Sequence, residues 1–393
     1  GAVVRPARGA LGALVAPIHF LSFVRMSVAV RPPFALDHWV EIPRLPWKGQ
    51  DSLATIKECV ESATPVVLEG AKLMDVSTWS DANLEKTIGS HTVLVKRSQS
   101  EKFRYYDLKK NAGKFPFANP LQEENMTYSQ FLREVERLEE NGGGFLYCQE
   151  TMSGHEEMAE EFVRWDWNWL IQNAVSNKWG LPESNELFIG MKGATTPCHF
   201  DEQENLFFQV RGRKRFVLFP FVDYNKLYPF PVTHPCDRQS MVDVENPDLQ
   251  RFPLFKEARG HYTIVDSQDL LYIPYGWWHW VKNLDRLPVS MSFWSKTPAN
   301  DFSGGVPREF TEHMMTRVRR NLESMISNVN GPEKLPQTVV AMIDAIKMGG
   351  CTTALTTVRS LLTEVRVTDE QEQNRLLLAM FEGRFENDWQ NHV

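Results

Sequence analysis

Apolar positions along this chain change their period twice. In TYSQFLREVERLEEN (127–141), Tyr128, Phe131, Leu132, Val135 and Leu138 recur three or four apart, which predicts one buried face of a helix. Thr127 suits its N-cap, and the run GGG (142–144) ends it. Around it, TPVVLEG (64–70), HTVLVKR (91–97) and FLYCQE (145–150) read as strands, and FRYYDLKK (103–110) as a strand end or loop. HEEMAEEFVRWDWNWLIQNAV (155–175) reads as one helix with acidic residues at its start. The middle of the chain is different. ELFIGM (186–191), NLFFQV (205–210), KRFVLF (214–219), HYTIV (261–265), LLYIP (270–274) and PVSMSFW (288–294) are short, aromatic and β-branched. Turn residues separate them, which predicts an antiparallel sandwich or barrel. A Pro-rich insert between Pro220 and Pro253 is long for an ordinary loop and carries HPCDRQS (234–240). After Pro307 the helical period returns: Phe310, Met314, Val318, Leu322, Met325 and Val329 recur within 308–329, and further helices are expected around 336–348, 352–365 and 369–382. GGCTTALTTVRS (349–360) reads as an inserted helical turn or a loop.

Composition adds limits. The chain has 393 residues, 42% of them hydrophobic, enough for one large domain and an accessory region. A net charge of −7 argues against a nucleic-acid surface as the main function. Cys59, Cys148, Cys198, Cys236 and Cys351 are dispersed and form no CxxC pair, which argues against a disulfide framework and for a reducing compartment, cytoplasm or nucleus. Residues 1–35 are set apart as a leader: Arg5, Arg8, Arg25 and Arg31 occur with no acidic residue before Asp37. Its apolar run, 10–24, is short for a bilayer span. The preferred reading is a disordered leader or sequence upstream of Met26, with a targeting segment as the other. No membrane association is expected. The β-rich domain is placed at 36–303 and the helical region at 304–393.

The candidate chemistry lies in TPCHFDEQEN (196–205). Residues two apart on a strand face the same way, so His199 and Asp201 can point together with Phe200 behind them. Two ligands rarely define a metal site, and IPYGWWHWV (273–281) offers a third, His279, after an aromatic strand. Two imidazoles and one carboxylate on one face suit non-haem Fe(II) with open positions opposite. A lone HxD motif is weak; its combination with ordered short strands is what gives it weight.

The stretch TPCHFDEQENLFFQVRGRKRFVLFP, then HPCDRQS, then DLLYIPYGWWHWV resembles the JmjC-type 2-oxoglutarate oxygenases, and among them the asparaginyl hydroxylases typified by factor inhibiting HIF. The similarity runs from about Ile42 to Lys296. It implies a mainly β protein with flanking helices: a double-stranded β-helix (jelly-roll, cupin-like, JmjC) core plus a C-terminal helical region. It implies Fe(II) held by His199, Asp201 and His279, and 2-oxoglutarate held by Lys214, Thr196, Tyr147 and Asn205. Lys214 faces opposite to Arg213 and Arg215 on an alternating strand, so an inward direction fits. Three positions depart from the pattern. Ser292 stands where a second cofactor-side amide is usual and is expected to contact 2-oxoglutarate through its hydroxyl, Cys198 stands where a smaller residue is expected, and SQD (267–269) replaces a Gly-Asp turn.

The resemblance further implies β-hydroxylation of a protein asparagine, coupled to dioxygen and release of succinate and carbon dioxide. Gln239, Arg238 and Gln149 match residues that grip the target, and Tyr105, Asp107 and Trp294 match the peptide groove. Implied partners are a HIF-alpha-like transcription factor peptide, ankyrin-repeat proteins and a second copy of the chain through the C-terminal helices. Two other classes stay open: another JmjC protein hydroxylase or lysyl demethylase, and a non-catalytic JmjC binding module.

Overall fold

A computed structural model describes residues 31–110, 118–152, 156–297, 312–364 and 367–385. The leader reading for 1–35 falls mostly outside these residues; from Arg31 the chain is placed, and the Phe34 ring meets Trp280 edge-on at 5.4 Å.

Six strands precede the centre: β1 (Val40–Glu41), β2 (Arg44–Pro46), β3 (Val66–Glu69), β4 (Thr92–Ser98), β5 (Leu121–Thr127) and β6 (Phe145–Thr151). Eight form it: β7 (Ser184–Gly190), β8 (Thr195–Phe200), β9 (Glu204–Arg211), β10 (Lys214–Phe219), β11 (His261–Val265), β12 (Leu270–Ile273), β13 (Trp278–Asn283) and β14 (Val289–Ser295). They divide between two sheets, ordered β1-β11-β10-β13-β8 and β2-β3-β12-β9-β14-β7-β6-β4-β5. Successive central strands cross from one sheet to the other, except β10 and β11, antiparallel neighbours joined by the long insert. This is a double-stranded β-helix.

Alternation along the strands sorts the residues into layers. Phe207, Phe216, Leu218, Val265, Leu271 and Ile273 meet between the sheets. The outer face of the larger sheet packs Leu206, Phe208, Met291 and Phe293 under helices α1 (Ser52–Glu61), α2 (Asp81–Ile88), α3 (Tyr128–Asn141), α4 (Ala159–Val163) and α5 (Trp167–Ser176). The outer face of the smaller sheet, Trp278 and Trp280, is covered by Tyr224, Tyr228, Phe252 and Phe255 of the insert.

The helix expected at 127–141 starts with a full capping box. Thr127 Oγ1 accepts from Gln130 N at 3.2 Å, and Gln130 Oε1 accepts from Thr127 N at 2.8 Å. Some expectations need correction. The single helix drawn over 155–175 is broken between α4 and α5, where Asp166 accepts from Trp169 N and starts a new helix. Strand β5 departs from the expectation: its sequence, LQEENMT, is polar, lies at a sheet edge and buries only Leu121, so it carries no apolar alternation. His279 lies within a strand of its own rather than after one.

The C-terminal helices are α6 (Glu312–Asn330), α7 (Leu335–Met348), α8 (Thr353–Glu364) and α9 (Glu370–Phe381). They share a core that includes Leu322, Val339, Met342, Leu355 and Leu377. Gly349, at φ 68°, ends α7, and most of 349–360 belongs to α8. Among the described residues no single helix is long and apolar enough to cross a membrane. All five cysteines are free thiols.

Candidate metal centre

Strand β8 pairs with β13 so that Phe200 lies opposite Trp278, His199 opposite His279 and Thr196 opposite Val281. Three residues of β8 thus span two of β13. The extra residue is a β-bulge, and it reverses the side-chain parity of β8. Thr196 and His199, three apart, therefore both reach the space between the sheets. Cys198 and Phe200 face outward into the aromatic cluster under the insert. That explains Cys198 as a packing residue directed away from the metal side; burial raises its thiol pKa.

The His199 and His279 rings lie 4.1 Å apart, and His279 Nε2 is 3.7 Å from Asp201 Oδ2. One ligand atom from each of the three lies within 4.8 Å of the others. Each imidazole is oriented by its own backbone: His199 Nδ1 bonds to Pro197 O at 2.9 Å and His279 Nδ1 to Trp277 O at 3.1 Å. A carbonyl only accepts, so Nδ1 carries the proton and Nε2 keeps its lone pair for a cation. Burial, then the neighbouring His279, pushes His199 down to about 4, which favours the neutral, ligating form. Burial alone raises the Asp201 carboxyl, but His279, His199 and Arg238 outweigh it and hold it below its ordinary range. Trp294 Nε1 donates to Asp201 Oδ2 at 3.1 Å and fixes the carboxylate's direction. The donor set fits Fe(II) with sites left open.

Behind the metal set, Lys214 is 1% exposed. Its Nζ reaches Tyr147 Oη at 3.1 Å and Ser290 Oγ at 2.8 Å, and it lies 5.5–5.6 Å from the ring centres of Tyr147, Phe188 and Phe207. Among the described residues no carboxylate pairs with it, and burial pushes its pKa down to about 7. A buried cation answered only by hydroxyls and aromatic faces suits the free carboxylate of a dicarboxylic acid. Asn205 lies on the same inner face of β9 as Phe207; its amide oxygen is buried with no hydrogen-bond partner. Turned over, that amide would offer its NH2 to a carboxylate. Ser292 shares the inner face of β14 with Ser290 and Trp294, but it is Ser290 that Lys214 touches.

In front lies a cavity of about 260 Å³. Thr196, Tyr147, Gln149, Arg238, Gln239, Tyr105 and Trp294 line it, together with His199 and Asp201. Gln239 Nε2 donates to Tyr105 O at 2.5 Å, and Gln149 Oε1 accepts from Lys96 Nζ at 2.9 Å. Asp107 is not brought to the cavity. Its carboxylate accepts from Lys109 N at 3.0 Å, while its own N–H donates to Pro235 O at 2.8 Å.

Residues 52–301 match the cupin-like domain family. The chain belongs to that family. It is 41% identical over 133 residues to HSPB1-associated protein 1 of Bos taurus, covering 32% of this chain and 27% of that protein. It is 30% identical over 240 residues to lysine-specific demethylase 8 of Xenopus tropicalis (58% of this chain, 47% of that protein). Lysine-specific demethylase JMJ30 of Arabidopsis thaliana is 36% identical over 124 residues, 32% of this chain and 28% of that one. The chain thus matches between a quarter and a half of the length of these relatives. Two of these relatives carry the name lysine-specific demethylase.

Several residues of this cupin-like site escaped the sequence reading. Ser290 was legible in principle, since residues 290, 292 and 294 share one face; only the partner of Lys214 decides among them. Lys96 lines the cavity from β4, and nothing around it in sequence marks it. Asp237 sat unread inside the quoted HPCDRQS and also lines the cavity.

Proposed function

We propose that the chain is an Fe(II)- and 2-oxoglutarate-dependent hydroxylase of protein side chains, and that its target is the β-carbon of an asparagine. The charge of the cavity supports the choice of target. Two cations, Lys96 and Arg238, line it. The two carboxylates that line it are both engaged: Asp201 by Trp294, Asp237 by Lys110 and Arg320. A methylated ammonium would meet the like charges of Lys96 and Arg238 there. A neutral amide meets donors from Lys96 and Arg238 and the mixed donor and acceptor groups of Gln149 and Gln239.

Bound in this site, Fe(II) and 2-oxoglutarate supply oxidation of a C–H bond by dioxygen, with succinate and carbon dioxide released. The chain's residues do the positioning. His199, Asp201 and His279 would hold the cation. Lys214, Tyr147, Ser290 and Thr196 would hold the far carboxylate, and Asn205, paired with Trp294 across β9 and β14, lies near the metal-binding end. Trp294 steadies Asp201, and the aromatic walls of Tyr147, Phe188 and Trp294 keep water out. Tyr105, half exposed, forms the outer edge where an extended peptide would lie.

A second reading is lysyl demethylation. The printed names of two relatives favour it, and aromatic walls can receive a methylated ammonium. The deciding experiment loads the protein anaerobically with Fe(II) and 2-oxoglutarate. It is then exposed to air with asparagine peptides from HIF-alpha-like and ankyrin-repeat proteins, or with methyl-lysine peptides. Gain of one oxygen on the asparagine supports the proposal; loss of methyl from lysine replaces it with the second reading. No succinate with any peptide would leave a binding module. The proposal extends to a homodimer through 304–393, which light scattering tests, and to a cytoplasmic or nuclear location.

A further inference from the structure

Asp237 is a point where three segments meet. Its carboxylate, 4% exposed, accepts from Arg320 Nη1 at 2.7 Å and Nη2 at 2.8 Å, and also from Lys110 Nζ. Asp237 immediately precedes Arg238 and Gln239, and Gln239 forms a β-bridge with His199. Lys110 lies five residues after Tyr105. Arg320 belongs to α6 of the C-terminal bundle, outside the residues matched to the cupin-like family. Its guanidinium also lies 5.7 Å from the Phe200 ring centre and 3.3 Å from Glu202 Oε1. Phe200 and Glu202 are the two neighbours of Asp201. One side chain of α6 therefore touches both the loop in front of the cavity and the residues on either side of a metal ligand.

The same helix holds the other end of that loop. Glu323, one turn beyond Arg320, accepts from Val232 N at 3.2 Å and pairs with Arg384 at 3.0 Å; both side chains are fully buried. Arg384 in turn donates to Pro229 O at 2.6 Å and Phe230 O at 3.1 Å. Backbone groups at 229, 230 and 232 are thus tied to the bundle, and Asp237 is tied eight residues on. A forked guanidinium on a buried carboxylate fixes direction as well as distance.

We propose that α6 is a positioning element for the target side chain: the Asp237–Arg320 pair sets the loop 229–240 so that Arg238 and Gln239 face the cavity. This rests on the proposed function only in that these two residues grip the substrate. Among the described residues no hydrogen bond or ion pair links Lys214, Tyr147 or Ser290 to this pair, so the grip on the far carboxylate of 2-oxoglutarate is set apart from it.

The test uses the full chain with Arg320→Ala, Arg320→Lys and Asp237→Asn. Arg320→Lys keeps the charge and loses the fork, which keeps the test open if Arg320→Ala does not fold. Expected results are at least tenfold faster hydrogen exchange of the amides in 234–240 and a 2-oxoglutarate Kd within twofold of the unmodified protein. KM for an asparagine peptide turned over by the unmodified protein should rise about tenfold, with kcat changing less, and Arg320→Lys should lie between. Unchanged exchange at 234–240 in all variants, or a 2-oxoglutarate Kd that rises as much as the peptide KM, overturns the inference. If the unmodified protein turns over no asparagine peptide, the proposed function fails, while the exchange measurement still decides the role of α6.

Discussion

Lys214→Met should make the ligand-free protein more stable and unable to hold 2-oxoglutarate. The lysine is fully buried between hydroxyls and rings, and burial takes its pKa from an ordinary 10.5 to about 7. A fall of about 3.5 in pKa corresponds to roughly 5 kcal/mol between the charged and neutral forms. Below pH 7 both the folded and the unfolded chain carry the proton, and the whole burial cost falls on the folded state. Between pH 7 and 10.5 the unfolded chain binds more protons, so stability rises with pH; above 10.5 the cost is gone. Methionine fills a similar volume without the charge. The gain expected at pH 6 is therefore several kcal/mol, shrinking towards zero by pH 11.

The same proton governs the ligand. A carboxylate pairs with the ammonium form, so above pH 7 binding must first recover a proton. The Kd for 2-oxoglutarate in the unmodified, Mn(II)-loaded protein should then rise by up to tenfold per pH unit from pH 7 to 9. Denaturant unfolding at pH 6 and 10 gives the first quantity, and tryptophan fluorescence titration the second. A Lys214→Met protein less stable than its parent at pH 6, or one that binds 2-oxoglutarate normally, would refute the reasoning. So would a flat Kd across that pH range.

Three other outcomes follow from the geometry. Asp201→Ala should abolish tight Mn(II) binding in titration calorimetry, since two imidazoles alone leave the set incomplete. Trp294→Phe removes only the indole N–H that fixes Asp201, and should weaken the metal about tenfold while leaving the fold intact by circular dichroism. Gln268→Gly relieves a left-handed residue, φ 70°, and should stabilise the protein by about 0.5–1 kcal/mol once glycine's own entropy cost is counted.

That last turn shows how far the sequence could be read. SQD (267–269) replaces the expected Gly-Asp pair, yet the turn stands with Gln268 left-handed and Asp269 bonded to Arg44 at 2.6 Å. Short apolar runs bounded by turn residues disclosed most of the central strands, because both of their faces are buried and apolar residues occupy both. Strand alternation disclosed the direction of Lys214 between Arg213 and Arg215. It could not disclose β5, whose edge position lets polar residues occupy both faces. Nor could it find the break at Asp166, where a side-chain cap restarts a helix inside a run with unbroken helical character.

All three residues of the metal set, named from the sequence, come together in the structure, but only two of them are linked by local spacing. His199 and Asp201 lie close in sequence, and a spacing of two is a local property of extended chain. Thr196 joins them because β8 is bulged against β13, and a bulge depends on the partner strand rather than on the residues that form it. His279 and Lys214 depend on the order in which strands abut: β13 lies between β8 and β10, so His279 faces His199 on one side while its other neighbour carries the lysine. The same argument places Arg320 beyond sequence reading altogether. It lies 119 positions after Asp201, and no period of two or 3.6 links a helix of the C-terminal bundle to the loop before the cavity. Residues local to a strand can be read from its alternation, and the resemblance supplied His279 and Lys214 on other strands, whereas contacts made from another helix emerge only when the layers are assembled. Lys96, Asp237 and Arg320, on which the proposed selectivity rests, were not legible from any local pattern.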